Sequence, residues 1–235
     1  MTLYVVPVVE GQTEQGCVEP LLHRIWADLL QQPERLQVVE PFRSHRDALV
    51  HANGQVLTEG VQKAFLKLQQ KTRKDAEARL LLLILIDAEG DCPATLGPRL
   101  LQTARQARRD ADIACVLAKR GLENWFKASA ASLAGVSGLP NDLAVPVNPE
   151  EGSGDAWLTR QMQRQDRRRK YTKPGDAVEL ARRMDLRQCR VNSPSFDKLC
   201  RELEARAPKP PQAMGTGDEL RKDEPPPMGT GAVGV

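Results

Sequence analysis

Three carboxylates follow the most apolar segment of the chain within five positions. Residues 80–86 are all Leu or Ile, and Asp87, Glu89 and Asp91 come directly after them. Two carboxylates ~4 Å apart repel each other by about 4 kcal/mol at an effective dielectric constant of ~20. Clustered acids therefore take up protons, extend into solvent or share a cation, and Mg²⁺ binds one or two carboxylates together with water and phosphate. The alternative is a solvated turn, since Asp and Gly are common in turns.

Further acids follow other predicted strands. Glu10 and Glu14 come after the first predicted strand, and Glu123 comes after the fourth. In parallel α/β sheets, ligands bind beyond the carboxyl ends of the strands. We therefore expect Glu10 to lie in the same crevice as the acids that follow residue 86.

The elements that would position these acids alternate between strands and helices. Short apolar runs predict strands over residues 3–9, 36–42, 80–86 and 112–118, and helical spacing of apolar residues predicts helices over 13–29, 54–74, 94–109 and 122–134. This alternation predicts a layered α/β fold with a mostly parallel four-stranded sheet flanked by helices. Pro7 lies inside the first predicted strand and argues for an edge position or a distortion there.

The composition predicts three parts along the chain. Residues 1–134 form the α/β core, and residues 135–206 form a helical, basic extension packed on that core. Residues 207–235 are rich in Pro and Gly and contain few apolar side chains. This last segment is predicted to be a disordered tail, because it cannot offset an ordering cost of about 1–2 kcal/mol per residue.

Positive charge is concentrated in one segment. Residues 160–190 contain eleven Arg and Lys against four acids, a net charge of +7 in a chain whose total is +3. The rest of the chain therefore carries −4. The segment includes "RRRK" at residues 167–170. Such a block favours DNA or RNA binding, and the alternative is a solvated helical face.

Several classes of protein lack support in the sequence. No GxxxxGK[ST] phosphate loop occurs, so the chain is not itself a P-loop ATPase. The three His and five Cys residues show no zinc-like spacing, and the scattered cysteines favour a reducing cytoplasm. No signal peptide and no membrane-spanning segment is predicted. Aromatic residues make up only 4% of the chain, which disfavours extensive base stacking.

Three acidic motifs, "VVEGQTE", "LIDAEGD" and "LENWF", occur in this order, and through them the chain resembles the Toprim superfamily. A glutamate after strand one and a DxD motif after strand three are the hallmark of that superfamily. More narrowly, the chain is similar to a bacterial family of small, uncharacterised Toprim-like proteins related to the OLD nucleases. The narrower resemblance rests on "EGQTE", "LENWF", "KYTKPGDA" and "SPSFDKL", and it covers roughly residues 3–206.

The resemblance implies a nuclease that depends on Mg²⁺ (or Mn²⁺). Asp87 would be the central metal ligand, assisted by Glu89 or Asp91, and Glu10 would bind metal or transfer protons. Glu89 departs from the DxD pattern, because its extra methylene moves the carboxylate by about a bond length.

Glu14 and Glu123 would complete a second metal site, since two ions ~4 Å apart stabilise both the attacking and the leaving oxygen. The alternative for both residues is favourable charge at a helix N-terminus. Lys173 would neutralise charge on the phosphate in the transition state, and its alternative is an ordinary surface lysine.

Three hypotheses about function follow. The first is a cytoplasmic, metal-dependent nuclease that cuts DNA or RNA; the resemblance implies a P-loop ATPase partner and a part in phage defence or DNA repair. The second is a non-catalytic module that binds nucleic acid or that ATPase. The third is phosphotransfer on a small nucleotide, which would not need the basic segment.

Overall fold

Strand β4 (Ala78–Asp87) lies inside the sheet and is buried on both faces from residue 81 onward. The even-numbered side chains 82–86 join one apolar cluster, and the odd-numbered side chains 81–85 join another on the opposite face. This alternation follows from the two-residue repeat of a strand. Burial on both faces explains why the segment is continuously apolar.

The computed structural model describes residues 1–51 and 53–208, and it describes the side chains of all of these except 12–15 and 174. The strands are β1 (Thr2–Val9), β2 (Arg35–Val38), β3 (Phe42–Arg43), β4 and β5 (Ile113–Ala118). They run in the order β2-β1-β4-β5, with β3 also beside β1, and every pairing is parallel. The predicted layered α/β class is confirmed, with five strands in place of four.

The extra strand arises because the predicted strand over residues 36–42 is interrupted. Its two parts, β2 and β3, pair with the same edge of β1, at Val5 and at Val8. Pro7 lies between these two positions and has no N–H to donate. Strand β1, which contains Pro7, is thus an interior strand and not an edge strand. The distortion that this proline predicted occurs in the neighbouring strand.

Helices cover both faces of the sheet. They are α1 (Gln12–Arg24), which continues as a π-helical turn (Ile25–Leu29), α2 (Arg46–His51), α3 (Gln55–Thr72), α4 (Pro93–Ala107), α5 (Glu123–Ala128), α6 (Gly154–Gln163), α7 (Lys173–Arg183), α8 (Leu186–Asn192) and α9 (Pro194–Glu204). Helices α2, α3 and α4 pack on the face of the even-numbered β4 residues. Helix α1 and helices α5 to α9 pack on the other face.

The helices after residue 153 share a core with the sheet. Leu158, Leu180 and Phe196 are fully buried in the same cluster as Val5 and Leu83. In the described part of the chain, no helix has the length and apolar character needed to cross a membrane. The predicted tail, apart from residues 207 and 208, lies outside the described residues.

Gly154 packs directly on the start of α5, which allows a prediction. A Cβ atom at Gly154 would lie 2.6 Å from Asn124 Oδ1 and 2.7 Å from the carbonyl carbon of Glu123. We expect Gly154→Ala to lower the free energy of unfolding by about 1–3 kcal/mol through overpacking. The control is Gly97→Ala inside α4, where the nearest atom would be a Leu117 methyl at 3.8 Å.

Urea denaturation measures both variants. Gly97→Ala should be neutral or stabilising by up to about 1 kcal/mol, because alanine is the better helix former. Equal effects of the two substitutions would contradict the close approach of α6 to α5.

Candidate active site

Asp87 is a buried carboxylate at the carboxyl end of β4. Only 6% of the residue is exposed, and its Oδ1 accepts a hydrogen bond of 2.9 Å from the Leu122 backbone N–H. Leu122 follows the neighbouring strand β5, so this bond joins the ends of two strands. Asp87 continues the odd-numbered face of β4, which directs its side chain toward the helices of the C-terminal half.

Glu123 lies beside Asp87 and is also buried, with 3% of the residue exposed. A Cβ atom at Gly121 would lie 3.0 Å from Asp87 Oδ2 and 3.2 Å from Glu123 Oε2. The two carboxylate oxygens are therefore no more than about 6 Å apart. Glycine at this position leaves room for both side chains.

A lysine and a tyrosine from the C-terminal half contact the Glu123 carboxylate of this pair. Lys173, the first residue of α7, places Nζ 3.4 Å from Glu123 Oε1, and the Tyr171 hydroxyl donates to the same oxygen at 3.5 Å. Burial lowers the pKa of Lys173, but the negative charges of Glu123, Asp87 and Asp155 outweigh it, and the pKa is raised. Lys173 is therefore the counter-charge of the buried pair.

Asp155 adds a third carboxylate to the surroundings of Lys173. It lies in the first turn of α6, where the Ser153 hydroxyl donates to it. That hydrogen bond, with smaller contributions from the Ala156 N–H and the charge of Lys173, lowers the pKa of Asp155. No motif of the sequence indicated Asp155, because it follows no strand.

Glu89 and Asp91 turn away from this pair and contact Arg46. Arg46 lies at the start of α2 and is almost buried; its Nη1 is 3.5 Å from Glu89 Oε2, and its Nη2 contacts Asp91 Oδ2. The same guanidinium donates to the backbone carbonyls of Asp87 and Ala88. Glu89 also has a left-handed backbone, with φ +49°. The loop after β4 is thus held by an arginine 41 residues away, which no local pattern indicated.

The two remaining predicted ligands follow β1. Val8 is level with Ile84 of β4, so Glu10 and Asp87 end neighbouring strands. Glu10 is partly exposed, and Glu14 lies in the first turn of α1, where side chains are not described. No group of three or more His, Cys, Asp or Glu side chains arranged to hold a metal occurs among the described residues.

Buried charges also hold α5 in place. Lys127 is 4% exposed, and its Nζ donates to the backbone carbonyl of Glu151. Burial, and then the positive charge of Arg160, lower the pKa of Lys127. The amide Nδ2 of Asn124, which is fully buried, donates to the Gly152 carbonyl at 3.1 Å.

A second buried carboxylate connects the loop before α6 to α9. Glu150 Oε1 accepts hydrogen bonds from the Ser193 hydroxyl at 2.6 Å and from the Ser195 backbone N–H at 2.9 Å. Trp125 Nε1 of α5 donates to the Ser195 hydroxyl at 2.8 Å. These bonds fix α5, and with it Glu123, against the C-terminal helices.

The basic segment leads directly into this site. Arg167, Arg168 and Lys170 are exposed between α6 and α7, immediately before Tyr171. Arg169 differs, since it is partly buried and forms an ion pair with Asp176. Other cations of the basic segment also have carboxylate partners, including Arg164, Arg183 and Arg190. Within the basic segment, the exposed positive charge nearest to Tyr171 in the chain is therefore that of Arg167, Arg168 and Lys170.

The fold and the site define an α/β protein with a buried acid pair and a lysine at the carboxyl edge of a parallel sheet. The chain belongs to the family described as Domain of unknown function (DUF4276), whose family model matches residues 9–204. That range includes every candidate site residue and all of the helices from α1 to α9. Neither a curated protein nor a solved structure shows a significant match to the chain.

The charge balance of the site leads to a prediction about stability. Lys173→Met removes the counter-charge of two buried carboxylates, and we expect it to lower the free energy of unfolding by about 1–3 kcal/mol. Lys170→Met is the matched control, because Lys170 is exposed; its effect should stay within about 0.5 kcal/mol. Urea denaturation at neutral pH without divalent metal measures both.

The double variant Lys173→Met/Glu123→Gln provides the specific test. It should be less destabilised than the sum of the two single variants, because removing one carboxylate relieves the repulsion that the missing lysine exposed. Strict additivity would show that Lys173 and Glu123 do not interact.

Proposed function

We propose that this protein hydrolyses phosphodiester bonds of DNA or RNA with the help of Mg²⁺ (or Mn²⁺). The observation that carries the proposal is the buried Asp87–Glu123 pair with Lys173, at the sheet edge where α/β proteins bind ligands. Buried carboxylates with a specific charge partner are typical of functional sites. The exposed cations Arg167, Arg168 and Lys170 lie within four residues of Tyr171 in the chain and favour a polyanionic substrate.

The residues of the pair fit a divalent cation. Mg²⁺ takes one or two carboxylates and completes its shell with water and phosphate oxygens, and Asp87 and Glu123 would supply those two carboxylates. When bound, the cation would polarise a phosphate oxygen as a Lewis acid. Lys173 offsets part of the charge of the pair, and its half-exposed side chain can turn toward a phosphate when a cation takes over that role.

The other groups of the site would hold the two carboxylates in place and neutralise charge. Tyr171 holds Glu123 through its hydroxyl, and the Leu122 N–H holds Asp87. Lys173 would neutralise charge that develops on the phosphate. Glu10, at the end of the neighbouring strand, is the proposed group that moves a proton.

The setting of this activity is also a proposal. The Toprim resemblance of the three acidic motifs supports a P-loop ATPase partner and a part in phage defence or DNA repair. The scattered cysteines favour a reducing cytoplasm as the compartment.

One observation favours a second candidate function, a non-catalytic module that binds nucleic acid or the ATPase. Arg46 engages both Glu89 and Asp91, so these acids are directed away from Asp87. A site with fewer converging carboxylates holds a metal more weakly. The cleavage experiment below distinguishes the two candidates.

Asp87→Asn tests the proposed metal site. The substitution keeps an oxygen that accepts the Leu122 N–H but removes one negative charge. Cleavage of DNA or RNA with Mg²⁺ or Mn²⁺ should fall by about a hundredfold or more, since a metal contributes several kcal/mol to the transition state. Mn²⁺ affinity, measured by electron paramagnetic resonance, should fall as well. Glu77→Gln, an exposed acid just before β4 at the opposite edge, is the control and should change neither quantity.

Two further measurements complete the test. Without metal, thermal stability and nucleic-acid affinity of Asp87→Asn should hold or rise, because carboxylate repulsion is relieved. Normal cleavage with a destabilised fold would make Asp87 structural. A wild-type protein that cuts no DNA or RNA, with either metal and with an ATPase partner, would support the non-catalytic module instead.

A separate prediction concerns the basic segment. Replacing Arg167, Arg168 and Lys170 by Gln removes up to three phosphate contacts. The slope of log affinity against log salt on duplex DNA should then flatten by ~2–3 units. Fluorescence anisotropy at several salt concentrations measures the slope.

The control variant carries the same charge change elsewhere. Lys71, Arg73 and Lys74 are exposed at the end of α3 and precede β4, at the opposite edge of the sheet. Their replacement by Gln should leave the slope nearly unchanged. An equal effect of both triple variants would assign DNA binding to overall charge rather than to the segment before Tyr171.

A further inference from the structure

Arg46 places its guanidinium against the carboxyl end of β4. Its Nε donates to the Asp87 backbone carbonyl at 3.0 Å, and its Nη2 donates to the Ala88 carbonyl at 3.1 Å. Only 9% of the Arg46 side chain is exposed. Burial of a charged side chain is costly unless hydrogen bonds replace those that it made with water. These contacts therefore hold the arginine and the strand end together.

The direction of the Asp87 carbonyl explains why a side chain is needed there. The N–H of Ala88 donates to the Ala118 carbonyl of β5. Because the backbone groups of successive residues in a strand point to opposite edges, the Asp87 carbonyl points toward β1. The pairing of β1 with β4 ends at Ile84, before Asp87 is reached. The guanidinium of Arg46 thus supplies the donor that β1 supplies earlier in the strand.

The short strand β3 brings Arg46 to this position. It pairs with the end of β1, and the N–H of Ser44, which follows β3, donates to the Val9 carbonyl at 3.1 Å. Helix α2 begins shortly afterwards with Arg46. Because β1 and β4 are neighbours in the sheet, a segment anchored at the end of β1 places the first side chain of α2 beside the end of β4.

Two acids of the loop after β4 hold the guanidinium in turn. Its Nη2 also contacts Asp91 Oδ2, and its Nη1 lies 3.5 Å from Glu89 Oε2 and 3.5 Å from Asp47 Oδ1. Glu89 has a left-handed backbone, with φ +49°, a conformation that a residue with a side chain keeps only where surrounding contacts impose it. All three nitrogens of Arg46 are therefore engaged, which fixes the guanidinium relative to Asp87.

Asp87 is thus held from two sides. Arg46 binds its backbone, and the Leu122 N–H donates to its Oδ1 at 2.9 Å. Groups that orient a metal ligand strengthen metal binding without touching the metal. A positive charge near a cation has the opposite effect, because the two charges repel each other. The positioning and the charge of Arg46 would therefore change metal affinity in opposite directions.

We propose that Arg46 is a positioning residue, which holds the Asp87 carboxylate in place for the divalent cation. Glu89 and Asp91, which the sequence predicted as metal ligands, act on Arg46 and contribute to the site through it. The position of the carboxylate stands on the contacts above, whereas its use by a cation rests on the proposed function.

Amide hydrogen exchange without metal tests the positioning itself. Arg46→Ala removes both carbonyl contacts, so Asp87 should hold the Leu122 N–H less firmly. We expect exchange of the Leu122 amide to accelerate by about tenfold or more, because hydrogen bonds from a charged donor are the stronger ones. The Leu82 amide, which donates to the Asp112 carbonyl, is the internal control and should change by less than about twofold, since the opening is local. Nuclear magnetic resonance of the ¹⁵N-labelled protein measures both amides.

Mn²⁺ affinity, measured by electron paramagnetic resonance, separates positioning from charge. Arg46→Ala should weaken binding by about 10- to 100-fold, although the loss of a positive charge favours a cation. Arg46→Lys should weaken binding as well, because a lysine keeps the charge but lacks the planar fork of donors. Methylguanidinium added at a few millimolar should restore part of the affinity of Arg46→Ala, and ammonium at the same ionic strength should not.

Arg99→Ala is the matched control. Arg99 is exposed on α4 and donates to the Val50 carbonyl of α2 at 3.4 Å, so this variant also removes an arginine that supports α2. It should keep the wild-type affinity for Mn²⁺ and the wild-type exchange of Leu122. Should Arg46→Ala not fold, Arg46→Lys carries both comparisons.

Two results would overturn the proposal. The first is Leu122 exchange that stays unchanged or accelerates only together with that of Leu82, which would make Arg46 a general support of the fold. The second is unchanged or tighter Mn²⁺ binding by Arg46→Ala, and tighter binding would show that Arg46 withholds Glu89 and Asp91 from the metal. A wild-type protein that binds no Mn²⁺, but whose Leu122 amide depends on Arg46, would refute the proposed nuclease and leave the positioning of Asp87 standing.

Discussion

Burial of β4 on both faces is the constraint on which the rest of the structure depends. A strand that is apolar on both faces needs a helical layer on each side, and the chain supplies α2–α4 on one and α1 with α5–α9 on the other. The first polar residue after the apolar run 80–86 of that strand is Asp87, which stays 6% exposed. The same packing that excludes water from the core therefore places a carboxylate in a setting where it needs a partner.

The partners come from distant parts of the chain. Glu123 follows the next strand, and Lys173 and Tyr171 come from the C-terminal half and contact the same Glu123 oxygen. The C-terminal helices thus complete the site as well as the core. Their position depends on Glu150, which accepts hydrogen bonds from the start of α9. Stability and the candidate chemistry are coupled through these buried polar contacts.

The acids at the carboxyl edge of the sheet have two different environments. Asp87 and Glu123 lie around one lysine, whereas Glu89 and Asp91 contact Arg46. This division separates a buried centre, where two carboxylates share one lysine, from a half-exposed loop whose two acids share one arginine.

The sequence by itself determined the layered α/β class, three uninterrupted strands and the appearance of acids at their carboxyl ends, because these features follow from local apolar periodicity. It also indicated Asp87, Glu123 and Lys173 as site candidates. Only the tertiary structure decided which acids meet. Tyr171 and Glu123 are 48 residues apart, and Arg46 reaches Asp87 across 41; no local pattern encodes such contacts. The break opposite Pro7 was likewise decided by pairing, since Pro7 has no N–H to donate to the neighbouring strand between β2 and β3.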